Sequence, residues 1–109
     1  MTLKRQNGGE NPYIHYPVEI QNIPIENADR DLKTIQLAFL NKDDEEAFQY
    51  LPGQFAELSV FGKGESPIGI ASSPTEKGYL LFTVKRVGVV TTDLHNSEEG
   101  RIIGVRGPL

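Results

Sequence analysis

Apolar and polar residues alternate along several short stretches of this chain, and turn residues separate the stretches. Val18 to Ile25 is rich in apolar β-branched residues and is bounded by Pro17 and Ala28-Asp29. Leu32 to Leu40 alternates, with Lys33, Ile35, Leu37 and Phe39 on one face and Thr34 and Gln36 on the other. Period-two alternation is the pattern of a half-buried strand. Pro52-Gly53 opens a stretch in which Ala56, Leu58 and Val60 share a face, while Phe55 and Phe61 interrupt the polar one. A turn is predicted over Gly62 to Glu65, then a short strand from Ile68 to Ser73 ending at Pro74. Thr75 to Gly78 reads as a tight connection in which Gly78 supplies positive φ. Tyr79 to Arg86 sets Leu80, Phe82 and Val84 against Tyr79, Thr83 and Lys85. Asn41 to Glu46 reads as a solvated acidic loop.

One stretch breaks the alternation. Val90 to Asn96 has helical character, with Thr91 or Thr92 as its cap and Asp93 in its first turn. Glu98 to Gly100 is a turn, and Arg101 to Arg106 is the last strand, stopped by Gly107-Pro108. The expected fold is all-β: a six-stranded antiparallel Greek-key barrel with one short helix before the last strand. Closing six short strands into a barrel hides their edges.

Composition narrows the chemistry. The chain has 109 residues, 38% hydrophobic and 24% charged, which suits one globular domain. Residues 1–15 are expected to form a flexible arm and residues 16–109 the barrel. No apolar run approaches the ~20 residues of a membrane span, and the polar N-terminus lacks a secretory core, so a cytoplasmic protein is expected. Cysteine is absent, which excludes disulfides, thiolate catalysis and a Cys-ligated cluster within this chain. His15 and His95 are far apart and read as surface or packing residues rather than metal ligands. A net charge of −4 argues against bulk nucleic-acid binding.

Three segments are candidates for chemistry. In Pro67-Ile68-Gly69-Ile70 the glycine lets a flat ligand approach the backbone, or else it only relieves crowding in a core strand. In Val84-Lys85-Arg86, the guanidinium of Arg86 is suited to forking onto a phosphate, although exposed Lys-Arg pairs are common. The third is Gly88 to Thr92, where a Gly-led loop enters a helix at Val90 and Thr91. Backbone N–H groups and the helix dipole there favour an anion, a threonine hydroxyl adds a donor, and Asp93 opposes a diphosphate unless it turns outward. Taken together, they describe a flavin nucleotide lying along a barrel. No residue stands out as an acid, base or nucleophile.

These segments carry a resemblance. Pro52-Gly53-Gln54-Phe55, Pro67 through Pro74, Thr83 through Gly88 with Val90-Thr91, and Val105-Arg106-Gly107-Pro108 resemble the ferredoxin–NADP reductase superfamily in order and spacing. The resemblance spans about Tyr16 to Leu109. It is nearest to the branch with flavin-binding subunits of hydrogenases, anaerobic sulfite reductase and dihydroorotate dehydrogenase. It implies an FAD-binding domain, with FMN as the alternative, in an NAD(P)H-dependent electron-transfer oxidoreductase. The partner would be an iron–sulfur, hydrogenase-type or reductase-type subunit. It further implies that Pro67, Ile68, Gly69 and Ile70 contact the isoalloxazine. Val84, Lys85 and Arg86 would meet the ribityl and adenosine side, and Val90 and Thr91 the diphosphate.

The family often has Arg where Ser66 stands and Ser or Thr where Gly69 stands. Losing either polar contact weakens binding by ~1–3 kcal/mol. A barrel that kept the fold as a binding or assembly module and lost the flavin is therefore the competing expectation. An oligonucleotide-binding barrel ranks below it, because the charge is acidic and no aromatic pair lines a strand face. The family continues past the Gly-Pro into a nicotinamide-binding lobe, whereas this sequence stops at Leu109; a fragment, inactive alone toward NAD(P)H, is expected.

Overall fold

The computed structural model describes residues 15–22 and 31–109. Six strands run β1 (His15–Asn22), β2 (Leu32–Phe39), β3 (Phe55–Val60), β4 (Gly64–Gly69), β5 (Leu80–Lys85) and β6 (Ile102–Arg106). Two helices interrupt them, α1 (Lys42–Ala47) between β2 and β3 and α2 (Val89–His95) between β5 and β6. The strands form one antiparallel sheet in the order β4-β3-β6-β1-β2-β5. The sheet curls until its two edges meet at one bridge, Ile70 with Phe82, where the Ala71 N–H donates to the Leu81 carbonyl at 2.7 Å. The expected antiparallel barrel is therefore present, and its last seam is thin.

Alternation builds the core. Tyr16, Val18 and Ile20 of β1, Ile35 and Leu37 of β2, and Ala56, Leu58 and Val60 of β3 point inward. Leu80, Phe82 and Val84 of β5 and Ile103 and Val105 of β6 meet them. On the outer face the register sets Thr34 opposite Thr83, and their hydroxyls bond at 3.0 Å.

Three elements differ most from the sequence reading. β1 begins at His15, ahead of the expected Val18, and carries Pro17 within it. Proline is tolerated because its position is the last rung beside β2, where only its carbonyl is used, by the Leu40 N–H at 3.3 Å. The expected arm otherwise lies outside the described residues, as do Ile23 to Ile25. β4 starts at Gly64 and ends at Gly69, so the expected turn over Gly62 to Glu65 is partly strand. The β3 ladder, pairing Val60 with Gly64 through Phe55 with Gly69, holds this polar segment extended. Last, the acidic loop contains helix α1: the Asn41 side chain accepts from the Asp43 N–H at 2.7 Å, and Asp43, Asp44 and Glu45 lie in the first turn. Acids there oppose the positive helix end. The turn glycine Gly78 has φ of 93° as expected.

Candidate functional site

The three candidate segments, separate in sequence, share one wall of the barrel. β4 and β5 adjoin along the thin seam, and α2 packs on both. A Cβ on Gly64 would stand 3.7 Å from Cγ2 of Val90, so the start of α2 touches the start of β4.

Within β4 the side chains divide. Ile68 and the following Ile70 enter the core, while Pro67 is exposed and Gly69 lies outward. A ligand on this wall would meet only the main chain of the two isoleucines. The Ile70 N–H donates to the Gln54 carbonyl at 2.8 Å, toward β3. Alternation along an antiparallel strand therefore turns the Gly69 N–H the other way, into the seam.

β5 divides likewise. Val84 is buried, and its carbonyl is bonded by Nε2 of His95 at 2.7 Å. Lys85 and Arg86 are exposed. Arg86 already has a carboxylate partner: Nη2 lies 3.2 Å from Oδ1 of Asp31, and its N–H donates to the Asp31 carbonyl at 2.8 Å. That loosely held pair, half open to water, leaves Arg86 able to exchange partners at little cost.

The helix start is ordered differently from the expectation. Gly88, extended at φ −169°, is the N-cap, not Thr91 or Thr92. The Thr91 hydroxyl accepts from the N–H groups of Val87 (2.8 Å) and Gly88 (2.9 Å) and is within 3.2 Å of the Gly88 carbonyl, to which it donates. Its one donor and two acceptor sites are thus engaged in shaping the loop. An anion here would meet main-chain N–H groups of the first turn, which precede the first helical bond, Thr92 N–H to Gly88 carbonyl at 2.9 Å. Val90 itself is buried.

Asp93 does not oppose an anion. It lies 2.7 Å from Nη2 of Arg101, an ionic contact poorly angled for a hydrogen bond. At the other end of the helix, Nζ of Lys33 donates to the His95 carbonyl at 2.8 Å, a cation at the negative helix end. His95 is thus a packing residue that pins α2 to β5, and Lys33 joins it to β2.

Outside the seam, a cleft of about 480 Å³ lies between α1 and the loop before β5, lined by Lys42, Glu45, Phe48, Tyr50, Pro74 and Lys77. Its Glu45 is tied to the Gly78 N–H at 2.7 Å. On the outer sheet, Glu65 binds Arg106 through Nε at 3.1 Å and Nη2 at 2.9 Å, and meets Nε2 of His15 at 2.6 Å. The Arg106 hydrogen bonds, then that of His15, hold its carboxyl at a pKa of about 2. The sequence reading missed this cluster, Asp31 beside Arg86, and Phe55 beside Gly69; all depend on strand register, which spacing alone does not give. Among the described residues no helix is long and apolar enough to cross a membrane.

No family model matches the chain. The "Sulfhydrogenase 2 subunit gamma" of Pyrococcus furiosus is 41% identical over 98 residues, covering 90% of this chain and 33% of the relative. A "Probable dihydroorotate dehydrogenase B (NAD(+)), electron transfer subunit" of Methanocaldococcus jannaschii is 41% identical over 75 residues, 69% of this chain and 25% of the relative. The chain thus spans a third or less of the length of these relatives. Among solved structures, an NADH-dependent reduced ferredoxin–NADP oxidoreductase studied for flavin-based electron bifurcation superposes with a TM-score of 0.65 at 29% identity, over 84% of this chain and 32% of that one.

Proposed function

We propose that this chain, a homologue of sulfhydrogenase gamma subunits and dihydroorotate dehydrogenase electron transfer subunits with the barrel fold of ferredoxin–NADP reductases, is the FAD-binding part of an NAD(P)H-dependent electron-transfer oxidoreductase. The observation that carries this reading is the meeting of β4, β5 and the start of α2 on one wall. The residues there fit a flavin. Outward Gly69 leaves room above the strand, and its N–H faces the seam as a donor to a ring edge. Lys85 and Arg86 bring positive charge to the end of β5. The first-turn N–H groups around Val90 and Thr91 offer main-chain donors to a diphosphate, which favours FAD over FMN.

A flavin bound here supplies the hydride and single-electron chemistry. The chain's own residues bind and orient. Thr91 holds the loop after Arg86 in the shape that presents the donors, and His95 and Lys33 fix the helix behind it. Hydride supply from a nicotinamide and delivery to an iron–sulfur or hydrogenase-type subunit belong to the larger assembly, and a cytoplasmic location accords with it. The barrel of residues 16–109 forms the unit that holds the cofactor.

The test is direct. Purified protein is mixed with excess FAD and passed over a gel-filtration column. Visible flavin absorbance travelling with the protein at about one flavin per chain is expected. Colourless protein at micromolar flavin would overturn the reading and favour a barrel that serves as a binding or assembly module.

A further inference from the structure

One residue beside the proposed flavin seat has no assigned part in it. Phe55 opens β3 and pairs with Gly69 across the β3–β4 ladder. A Cβ on Gly69 would lie 4.0 Å from both Cε2 and Cζ of Phe55, so the benzyl ring lies against the glycine on the outer face. An aromatic side chain often covers a glycine in a neighbouring strand for stability alone. Here the cover is partial: Phe55 keeps 51% of its surface exposed. Leu109, half exposed, sits beside it, its N–H donating to the Phe55 carbonyl at 2.8 Å.

The backbone that carries the ring is well bonded. The preceding Gln54 is bonded on three sides: its carbonyl accepts from the Ile70 N–H at 2.8 Å, its Oε1 from the Leu51 N–H at 2.7 Å, and its Nε2 donates to the Leu109 carbonyl at 2.9 Å. The backbone of Gln54-Phe55 is thus stitched to the end of β4 and to the chain after β6. A half-open aromatic ring on so well-bonded a stretch of backbone, beside the glycine that gives a flat ligand its approach, is a preorganised apolar contact.

We propose that Phe55 is a binding residue for the isoalloxazine ring, packing against it beside Gly69 and so setting its position over β4. The inference rests on the flavin reading above and adds the residue that reads the ring rather than the phosphates. The chain contains no tryptophan, so Phe55→Trp introduces a single indole reporter at this place.

FAD is titrated into the full chain and into Phe55→Ala, Phe55→Leu and Phe55→Trp, following flavin and tryptophan fluorescence. Phe55→Leu keeps an apolar cover on Gly69 and guards against loss of the fold in the alanine variant. The expected result is FAD binding about tenfold weaker in the leucine and alanine variants, and indole emission at least halved at FAD saturation in the tryptophan variant. Unaltered affinity in Phe55→Leu, or an unquenched indole in a flavin-saturated protein, would overturn the role of Phe55 and leave the flavin reading standing. Failure of the unsubstituted chain to bind FAD overturns both.

Discussion

Glu65 shows how one outward residue ties strands that are not neighbours. It stands on β4, opposite Ser59 of β3, and reaches Arg106 on β6 and His15 on β1. The short Ser59 and the bare Gly104, paired with each other, leave that path open. Its carboxyl is held at about pKa 2, against an ordinary value of 4.5, chiefly by the Arg106 hydrogen bonds. A depressed carboxylate pKa contributes stability above the unfolded value and loses it as pH falls through the folded one. The contribution is therefore complete above about pH 5 and disappears between pH 4.5 and 2. Because the group is partly open to water, its worth is about 1 kcal/mol. Glu65→Gln should lower stability at pH 7 by that amount in urea denaturation, and the gap between variant and parent should close by pH 2. A gap that persists unchanged at pH 2 would show that the ion cluster is not its source.

The elements differ in how openly the sequence declared them. β2, β3 and β5 were legible because one face is core and the other solvent, so period two is written into Ile35-Leu37, Ala56-Leu58-Val60 and Leu80-Phe82-Val84. β4 was not, because Gly64, Glu65 and Pro67 are all exposed and only Ile68 is buried; its extension comes from the partner strand, which no local pattern reports. β1 runs on through Pro17, a residue that marks a boundary in most strands, because Pro17 falls at the end of the pairing with β2, where its carbonyl accepts from the Leu40 N–H. Helix α1 has a signal with two meanings. A run of acids suits a solvated loop, but Asn41 followed by Asp43, Asp44 and Glu45 is also a capped helix start. The helix leads to Phe48, whose ring centroid lies 5.5 Å from that of Phe39 and 6.0 Å from those of Tyr16 and Tyr50. The cap thus anchors an aromatic cluster as well as a single turn. Asn41→Ala should cost about 1 kcal/mol in thermal or chemical denaturation. No change would mean that the Phe48 packing alone holds α1. The candidate site was legible in part for the same reason: Gly69, Arg86 and the α2 start were visible as motifs, but which groups they expose depended on register and caps.

At the scale of the whole molecule, the barrel is unevenly closed. β1 is bonded to β2 and β6 over most of its length, and β2 to β5 over six residue pairs. β4 meets β5 at one bridge, and α2 covers the gap. Strand amides without a continuous ladder open with lower free energy than those of the core sheet. The proposed cofactor seat therefore coincides with the part of the barrel that local structure holds least. A ligand bound along such a seam supplies contacts the sheet lacks. Binding to the folded state stabilises it by mass action, and the gain should be concentrated here. Hydrogen exchange on the free chain should show Gly69, Ala71 and the Val89–Thr91 turn exchanging well before Ile35, Leu37, Phe82 and Val105. Saturating FAD should then slow Gly69 and the turn selectively while leaving β1 and β2 nearly unchanged. Equal protection of both regions in the free chain would mean that the single Ile70–Phe82 bridge and the cover of α2 close the barrel as firmly as a full ladder. Uniform slowing across all strands on adding FAD would place the ligand's effect in global stability rather than at the seam.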